Sequence, residues 1–446
     1  MMNTPICDFI KRYAESDTLR LHMPGHKGQA LTGPEPYDIT EIFGADSLYE
    51  ASGIIRQSEE NAETLFGSAK TLYSTEGSSQ CIRAMLYLAL LQAKAKGEKP
   101  LILAARNAHK TFVMAAGLLD IEVAWLTPDG ADSYLSCRID TDTLDAELKR
   151  LSPTALYITS PDYLGNCADI SAISAVCRRH GVLLLVDNAH GAYLKFLSPS
   201  RHPLDEGADV CCDSAHKTLP ALTGAAYLHI SYSAPEWMRE SAQNALSLFG
   251  STSPSYLILR SLDAVNAYLD GGYAERLKNF SASAERLKPR LCSLGYTLVG
   301  DEPMKLTLAT KSYGYTGRAL GELLAQSGLV CEFCDDDYLV LMLSCELGEK
   351  SLLTIENILS SIERRTPINR TPPAPYLPKR AMSARDAMLS QSERISASDA
   401  EGRILATLNI SCPPAVPIAV CGERIDKEII KRFAYYGVDL CDVVCE

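Results

Sequence analysis

Short apolar runs that alternate with helix-like segments fill the first three hundred residues and constrain the fold most. The apolar runs lie in PLILAARNAHK, LDIEVAWLTPD, PTALYITSPDYLGN, HGVLLLVDNAHG and GADVCCDSAHK, and SAISAVCRRH is one of the segments between them. Continuous apolar strands separated by helices indicate a parallel sheet that is covered on both faces. The pattern therefore predicts an α/β domain with a mostly parallel sheet.

The pattern changes along the chain and predicts five segments. Residues 1–50 form an N-terminal arm, 51–275 the large α/β domain, and 276–365 a smaller α+β domain with strands KLTLAT and DYLVLMLS. Residues 366–380 hold five prolines and are typical of a linker. Residues 381–446 form a final C-terminal domain.

Composition narrows the possible partners. The net charge is −12 and no basic cluster occurs, which argues against nucleic acid and anionic membranes. No run of 18 apolar residues and no targeting segment is present, so we expect a cytoplasmic protein that acts on small molecules. The single CxxC pair, Cys331 and Cys334, has no second pair and no nearby His, so we predict no metal site.

Polar residues follow the predicted strands. Open α/β sheets bind ligands beyond the carboxyl ends of their strands. We therefore expect one cluster of side chains at that edge, made of Asn107, His109, Asp162, Tyr163, Asp187, His190, His216 and Lys217.

Lys217, in SAHKTLPALTG, follows one of these strands and is the central candidate. A buried or half-buried lysine has a depressed pKa, which makes its amine a nucleophile for a carbonyl such as the aldehyde of pyridoxal phosphate. The alternative is a solvated loop lysine. His-Lys pairs occur at 26–27, 109–110 and 216–217, so the pair alone does not single out Lys217.

A pyridoxal site also needs a carboxylate near the ring nitrogen, a phosphate cradle and a flat group against the ring. Asp187 suits the first role, Gly77, Ser78 and Ser79 the second, and His109 the third. Taken singly, each has a simpler interpretation as a turn residue, a helix start or a loop residue.

Several motifs together carry a family resemblance. SAHKTLPALTGAAYLH, DNAHGAY, LHMPGHKG, TSPDYLGN and STSPSYLILRSLD resemble the Orn/Lys/Arg decarboxylases, pyridoxal-dependent enzymes of fold type I. SASDAEGRI and CPPAVPIAVCGERI are similar to the C-terminal domain of that family. The likeness covers nearly the whole chain in the same order. It implies pyridoxal 5'-phosphate as cofactor and the short biosynthetic type, without an N-terminal wing domain.

The resemblance also implies site roles. Lys217 would bond the cofactor, Asp187 would pair with the pyridine nitrogen, His109 would stack on the ring, and His216 would complete the catalytic set. Further cofactor-binding residues implied in this way are Gly77, Ser78, Ser79, Ala189, His190, Ser214 and His216. Ser251 and Thr252 resemble a segment that reaches the cofactor of a neighbouring subunit, which implies a homodimer or higher oligomer.

Substrate recognition is less defined. Asn188, Tyr193 and Asp213 depart from the family pattern, which usually has Glu at the first position and Gln at the last. Cys412, Ala415 and Cys421 depart from it in the tail. Glu332 is the best candidate for holding the distal group of a basic substrate; the alternatives are Asp335 to Asp337 and Glu423. Arginine, lysine and ornithine all stay open.

The reaction expected is loss of CO2 from the α-carbon of a basic amino acid, feeding polyamine synthesis. A second hypothesis keeps the cofactor but makes the protein an aminotransferase or a lyase. An aminotransferase needs an arginine for the substrate carboxylate, and Arg318 is available. A third hypothesis is a non-catalytic binding protein that retains the fold.

Overall fold

The computed structural model of the protein describes residues 2–126, 133–136, 138–408, 411–412 and 416–445, with only the backbone for 411–412. Ala415 and the side chain of Cys412, two of the tail departures, lie outside the described part. The helices are α1 Pro5–Ala14, α2 Ile54–Phe66, α3 Ser78–Lys96, α4 Lys110–Leu118, α5 Thr141–Leu151, α6 Ile170–His180, α7 Ala215–Thr218, α8 Glu236–Ser247, α9 Tyr256–Asp270, α10 Tyr273–Ser293, α11 Gly317–Gln326, α12 Glu349–Ser361, α13 Ala384–Leu389 and α14 Lys427–Tyr436.

The strands follow the apolar runs of the sequence. They are β1 Lys70–Ser74, β2 Leu101–Ala105, β3 Glu122–Leu126, β4 Ala155–Thr159, β5 Leu183–Asp187, β6 Val210–Asp213, β7 Ala226–Ile230, β8 Leu298–Val299, β9 Lys305–Ala309, β10 Phe333–Cys334, β11 Tyr338–Met342, β12 Ser392–Ser396, β13 Ser411–Cys412, β14 Val416–Pro417 and β15 Leu440–Val444.

The chain divides into two compact units. The first unit comprises Met1–Gln92 and Ile170–Arg276. Its strands pair in the order β1-β7-β6-β5. Strands β5 and β6 are parallel, and β7 runs antiparallel to both β6 and β1, so three of these strands share one direction. Every residue of β5, β6 and β7 is buried, which explains their continuous apolar sequences.

The second unit comprises Ala93–Asp169 and Leu277–Glu446. Here β4, β2 and β3 are parallel neighbours, and β10-β11-β9-β8 form a separate antiparallel sheet. Near the C-terminus β12 pairs with β15. The core of this part gathers buried side chains such as Tyr134, Phe333, Ile418, Phe433 and Val443.

These elements confirm the predicted class: an α/β fold with mostly parallel strands, a smaller α+β part and a C-terminal part. The boundaries of the five predicted segments stay a prediction, although residues 366–379 contain no helix or strand. Among the described helices, none combines the length and the apolar character needed to cross a bilayer.

Candidate active site

The carboxyl ends of β5 and β6 lie side by side in the first unit. In the parallel ladder Asp187 is opposite Cys212, so the segments that leave the two strands start next to each other. Asp187 is buried, and its Oδ1 accepts a hydrogen bond from the backbone N–H of Ala189 at 3.2 Å. The structure therefore brings the predicted Asp187, Ala189 and the segment before Lys217 to one strand edge.

Lys217 lies on α7, the single helical turn that follows β6. Its side chain is exposed, whereas the sequence argument expected a buried or half-buried amine. The physical reason is the geometry of the turn, which buries Ala215 and Thr218 and leaves Lys217 on the outer side. The amine Nζ lies 3.0 Å from Nε2 of the buried His190. A lysine and a histidine in such contact can exchange a proton.

His216, next to the lysine, faces the loop before α3. Its Nδ1 lies 2.9 Å from the carbonyl oxygen of Ala225. Burial, and then the nearby charge of Lys217, lowers the pKa of His216 from its ordinary value. A Cβ placed on Gly77 would lie 4.0 Å from Cε1 of His216, so this residue borders the predicted phosphate cradle.

That cradle is the N-terminus of α3, which begins at Ser78 as predicted. Gly77 has φ +71°, a left-handed conformation that glycine adopts without strain, and its N–H donates to the carbonyl of Gly224 at 2.7 Å. Ser214 Oγ donates to Ser78 Oγ at 2.7 Å, joining the lysine-bearing segment to the helix start. The N-terminus of a helix together with adjacent hydroxyls suits a phosphate.

Two departures from the family pattern prove to be in contact. Asn188 Nδ2 donates to Asp213 Oδ1 at 2.6 Å, and both residues are fully buried. The family pattern has an acid at 188 and an amide at 213, whereas here the amide and the acid have exchanged places. In this chain an acid–amide hydrogen bond therefore lies directly after Asp187.

Asp213 also contacts two buried histidines that the sequence analysis did not identify. Its Oδ2 lies 3.0 Å from His202 Nε2 and 3.3 Å from His229 Nε2, and His229 Nδ1 lies 2.8 Å from Thr71 Oγ1. Burial alone would raise the pKa of Asp213, but the contacts with His202 and His229 hold it well below its ordinary value. A buried carboxylate is stable here because each oxygen has a donor.

A nearby cysteine gives these residues the composition of a metal site. Ligand atoms of His202, Cys211 and Asp213 lie within 4.8 Å of one another. The hydrogen bonds already explain this cluster as a buried polar network.

Ser251 and Thr252 are exposed, as a segment that meets another subunit would be. Within the chain, the N–H of Ser251 donates to the carboxylate of Glu76, beside the phosphate cradle. Their predicted contact with a neighbouring cofactor stays a prediction.

His109 belongs to the second unit, where it follows β2 and caps α4. Its Nδ1 accepts from the backbone N–H of Thr111 at 3.2 Å and lies 3.0 Å from the Thr111 hydroxyl. Accepting at Nδ1 places the proton of a neutral imidazole on Nε2. The capping contact fixes the ring orientation, and the stacking role stays a prediction.

The candidate substrate acids of the second unit differ in their contacts. Glu332 is exposed, and its Oε1 accepts from the hydroxyl of Tyr163, one of the predicted strand-end residues, at 3.1 Å. Asp335 accepts from the backbone N–H groups of Asp337 and Tyr338, both at 2.7 Å. Asp337 contacts Lys311. Asp335 and Asp337 are thus committed to internal contacts, which favours Glu332.

Arg318 and Glu423 also have partners in the second unit. Arg318 is exposed and lies 3.5 Å from Asp336, so no feature of its setting favours an aminotransferase. Glu423 is buried against Arg106.

The fold and the site define a class of protein. An α/β fold with a lysine after one strand, an aspartate ending its neighbour, and a serine-rich helix start joined to the lysine segment is the arrangement of a pyridoxal phosphate enzyme. The donor set fits the cofactor, because Lys217 offers an amine, Asp187 a carboxylate, and Ser78 with Ser214 a hydroxyl pair at a helix start.

Comparisons with known proteins identify the family. The Orn/Lys/Arg decarboxylase major domain matches residues 4–291, and the C-terminal domain of that family matches residues 367–438. The chain belongs to the Orn/Lys/Arg decarboxylases and is a pyridoxal-phosphate-dependent amino-acid decarboxylase.

Individual relatives are similar to this chain over nearly its full length. The uncharacterised protein YaaO of Bacillus subtilis (strain 168) is 31% identical over 97% of this chain and 94% of its own. The arginine decarboxylase of the same strain is 28% identical over 96% of this chain and 92% of its own. The crystal structure of the Francisella novicida lysine decarboxylase LdcF has the same fold, with a TM-score of 0.82 and 16% identity over 100% of this chain and 81% of that one.

Proposed function

We propose that the protein removes the α-carboxylate of a basic amino acid, and that arginine is its preferred substrate. Two observations support this proposal: Ser214 links the Lys217 segment to the start of α3, and arginine decarboxylases match the chain over most of both lengths. We further propose that the product feeds polyamine synthesis in the cytoplasm.

Pyridoxal phosphate, when bound, withdraws electrons from the bond that carries the carboxylate. Lys217 Nζ would hold the cofactor and yield its place to the substrate amine. Asp187 would stabilise a proton on the ring nitrogen, because a buried carboxylate favours a neighbouring positive charge. Ser78, Ser79 and the α3 N-terminus would bind the phosphate.

His190 and Lys217 are the pair that would move a proton at the reacting carbon. The distance of 3.0 Å between His190 Nε2 and Lys217 Nζ allows one group to protonate the other. The proton lost from the ammonium of Lys217 is then replaced through His190. The proton that the carbon keeps comes from solvent in each turnover, and solvent reaches the pair at the exposed side chain of Lys217.

Glu332 would bind the distal cation of the substrate. Its exposed carboxylate is held on one side by the Tyr163 hydroxyl, which leaves Oε2 for a guanidinium or an ammonium. His109 would cover the ring face, and Ser251 and Thr252 would complete the site of a second subunit in a homodimer.

The experiment measures CO2 released from arginine, lysine and ornithine by three forms of the protein: wild type, Lys217→Ala and Lys110→Ala. Lys110 belongs to another His-Lys pair and is the matched control. We expect the fastest release from arginine, a loss of at least about 10³-fold in Lys217→Ala, and little change in Lys110→Ala. If wild-type protein that has taken up pyridoxal phosphate released no CO2 from any of the three, the proposal would be wrong and a different reaction of the cofactor would be indicated.

A further inference from the structure

The CxxC pair of the sequence, Cys331 and Cys334, lies at the start of β10 in the second unit. Phe333 of β10 is paired with Val340 of β11, and the N–H of Glu332 donates to the carbonyl oxygen of that same Val340 at 3.0 Å. Two residues of one strand therefore oppose a single residue of the other, which is a β-bulge. Because a bulge interrupts the alternation of side chains along a strand, residues 331 and 334 fall on one face.

The positions of the sulfur atoms agree with this geometry. A Cβ placed on Gly321 of α11 would lie 3.2 Å from Sγ of Cys334 and 3.6 Å from Sγ of Cys331. The two thiols are hydrogen-bonded to each other, and both residues are partly exposed. Two thiols that already contact each other can form a disulfide with little movement of the backbone.

The two residues between the cysteines both contact Tyr163. Glu332 Oε1 accepts from the hydroxyl of Tyr163 at 3.1 Å. The ring of Phe333 lies edge-on to that of Tyr163, with 5.5 Å between the centroids. A bond between the two sulfurs would close a small ring around the bulge. It would therefore change the stretch of backbone that sets the position of the Glu332 carboxylate.

The two thiols differ in their surroundings. Burial, and then the charge and the hydrogen bond of Cys331, raises the pKa of Cys334 to about 11. The Cys334 thiol therefore keeps its proton at pH 7 and donates it to the sulfur of Cys331. Cys331 also lines a cavity of about 560 Å³, and residues of α12 line it as well. This cavity gives a small reagent access to Cys331, so we expect that thiol to react first.

We propose that Cys331 and Cys334 are a redox-active dithiol that closes to a disulfide in the presence of a small-molecule disulfide, and that this closure weakens binding of the basic substrate at Glu332. The second part rests on the proposed function, whereas the first part does not. Disulfides of intracellular proteins are usually transient and serve catalysis or redox sensing, so a reversible pair is the kind expected there.

The oxidation exchanges one disulfide for another. The Cys331 thiolate attacks one sulfur of oxidised glutathione, whose S–S bond breaks, and the first glutathione leaves. Cys334 then loses its proton to water and attacks the Cys331 sulfur, which forms the protein disulfide and releases the second glutathione. Each glutathione takes up one of the two protons that the cysteines lose. Two protein thiols are oxidised, and one small disulfide is reduced to two thiols.

The first measurement is peptide mapping of the full-length protein with bound pyridoxal phosphate. The protein is equilibrated with excess oxidised glutathione at neutral pH, quenched with acid and alkylated. Digestion on the N-terminal side of aspartates then separates Cys345 from the pair. We expect the peptide with Cys331 and Cys334 to carry no alkyl group and to have lost two hydrogens, and reduced glutathione to reverse this. Cys211 and Cys212 are adjacent but buried, and they should stay reduced.

Single variants test which thiol reacts first. Cys334→Ser should keep one glutathione on Cys331 as a mixed disulfide, whereas Cys331→Ser should carry little glutathione on Cys334. Cys292→Ser removes an exposed cysteine outside the pair and should form the disulfide as fully as wild type. The reverse distribution of glutathione would overturn the assigned order. A wild-type pair that is alkylated on both sulfurs in excess oxidised glutathione would overturn the whole proposal.

The second measurement is the KM for CO2 release from arginine by the oxidised and the reduced protein. We expect KM to be at least about threefold higher after oxidation and kcat to change less, because the substrate contact at Glu332 is the part that is disturbed. The double variant Cys331→Ser/Cys334→Ser is the control and should have the same KM in both media.

An equal KM for wild-type protein with and without the disulfide would overturn the second part of the proposal. If neither form released CO2 from arginine, lysine or ornithine, the proposed function would fail and the second part with it. Peptide mapping involves no turnover, so it would still decide whether the two cysteines form a redox-active pair.

Discussion

The edge of β5 and β6 in the first unit and the acidic turn before β11 in the second unit both carry clusters of charged residues, yet they are built differently. At the first, predicted site residues contact one another: Ser78 with Ser214, and Lys217 with His190. At the second, Asp335 and Asp337 serve the local structure, and Glu332 is exposed. The proposed cofactor site therefore rests on side chains that contact one another, whereas the proposed substrate contact rests on a single exposed group.

The sharpest test of this comparison is Asp187→Asn, which removes the buried carboxylate at the end of β5. We expect kcat to fall about 10²- to 10³-fold, since a preorganised charge at the reacting group is lost, while KM changes little. Steady-state CO2 release at saturating cofactor measures both. Asp205→Asn, which removes a partly exposed acid paired with Lys195, is the control and should retain activity. A fall of kcat that is equal in both variants would break the comparison.

The next effect concerns stability. Asp213→Asn leaves the donors of Asn188, His202 and His229 around a neutral group, and we expect it to lower the free energy of unfolding by about 3 kcal/mol. Urea denaturation at pH 7 measures this. Asp336→Asn, in the acidic turn, should have an effect within about 0.5 kcal/mol.

The stability effect of Asp213→Asn should depend on pH. The pKa of Asp213 is held below its unfolded value of 3.8, so the folded state binds fewer protons there. Its contribution to stability is present above about pH 4 and is lost as the pH falls through the folded pKa. The stability difference between wild type and Asp213→Asn should therefore shrink only below about pH 4. A difference that already vanished at pH 6 would exclude an ionised Asp213.

Glu332→Gln tests the substrate side of the comparison. The substitution removes an exposed charge that pairs with the substrate. We expect KM to rise about tenfold, which corresponds to a loss of about 1.4 kcal/mol of binding free energy, and kcat to stay within about threefold of the wild-type value. Asp336→Asn is again the matched control. If KM were unchanged, a residue other than Glu332 would have to bind the distal group of the substrate.

The smallest expected effect is that of Ser214→Ala. It removes one hydrogen bond to Ser78, worth about 1 kcal/mol, so we expect roughly fivefold weaker binding of pyridoxal phosphate. Equilibrium dialysis of the cofactor measures this, with Ser233→Ala as control. No change would mean that the link between α7 and α3 is not needed for the phosphate site.

Local features of the molecule could be predicted from the sequence, and long-range contacts could not. Continuous apolar runs predicted β2 to β6, and GSS predicted the start of α3, because both signals lie within a few residues. The contacts of Asp213 with His202 and His229 depend on strand pairing and on a distant loop. The exposure of Lys217 depends on which side of a single helical turn faces the core, and the sequence does not fix that side.

The central claim is that Lys217 bonds pyridoxal phosphate. The most direct test is to saturate the wild-type protein with the cofactor, reduce it with borohydride, and map the modified peptide by mass spectrometry. The account predicts the mass of the reduced cofactor on the peptide that contains Lys217, and none on peptides with Lys27 or Lys110, the other two His-Lys pairs. A label on either of those lysines, or no label on any peptide, would contradict it.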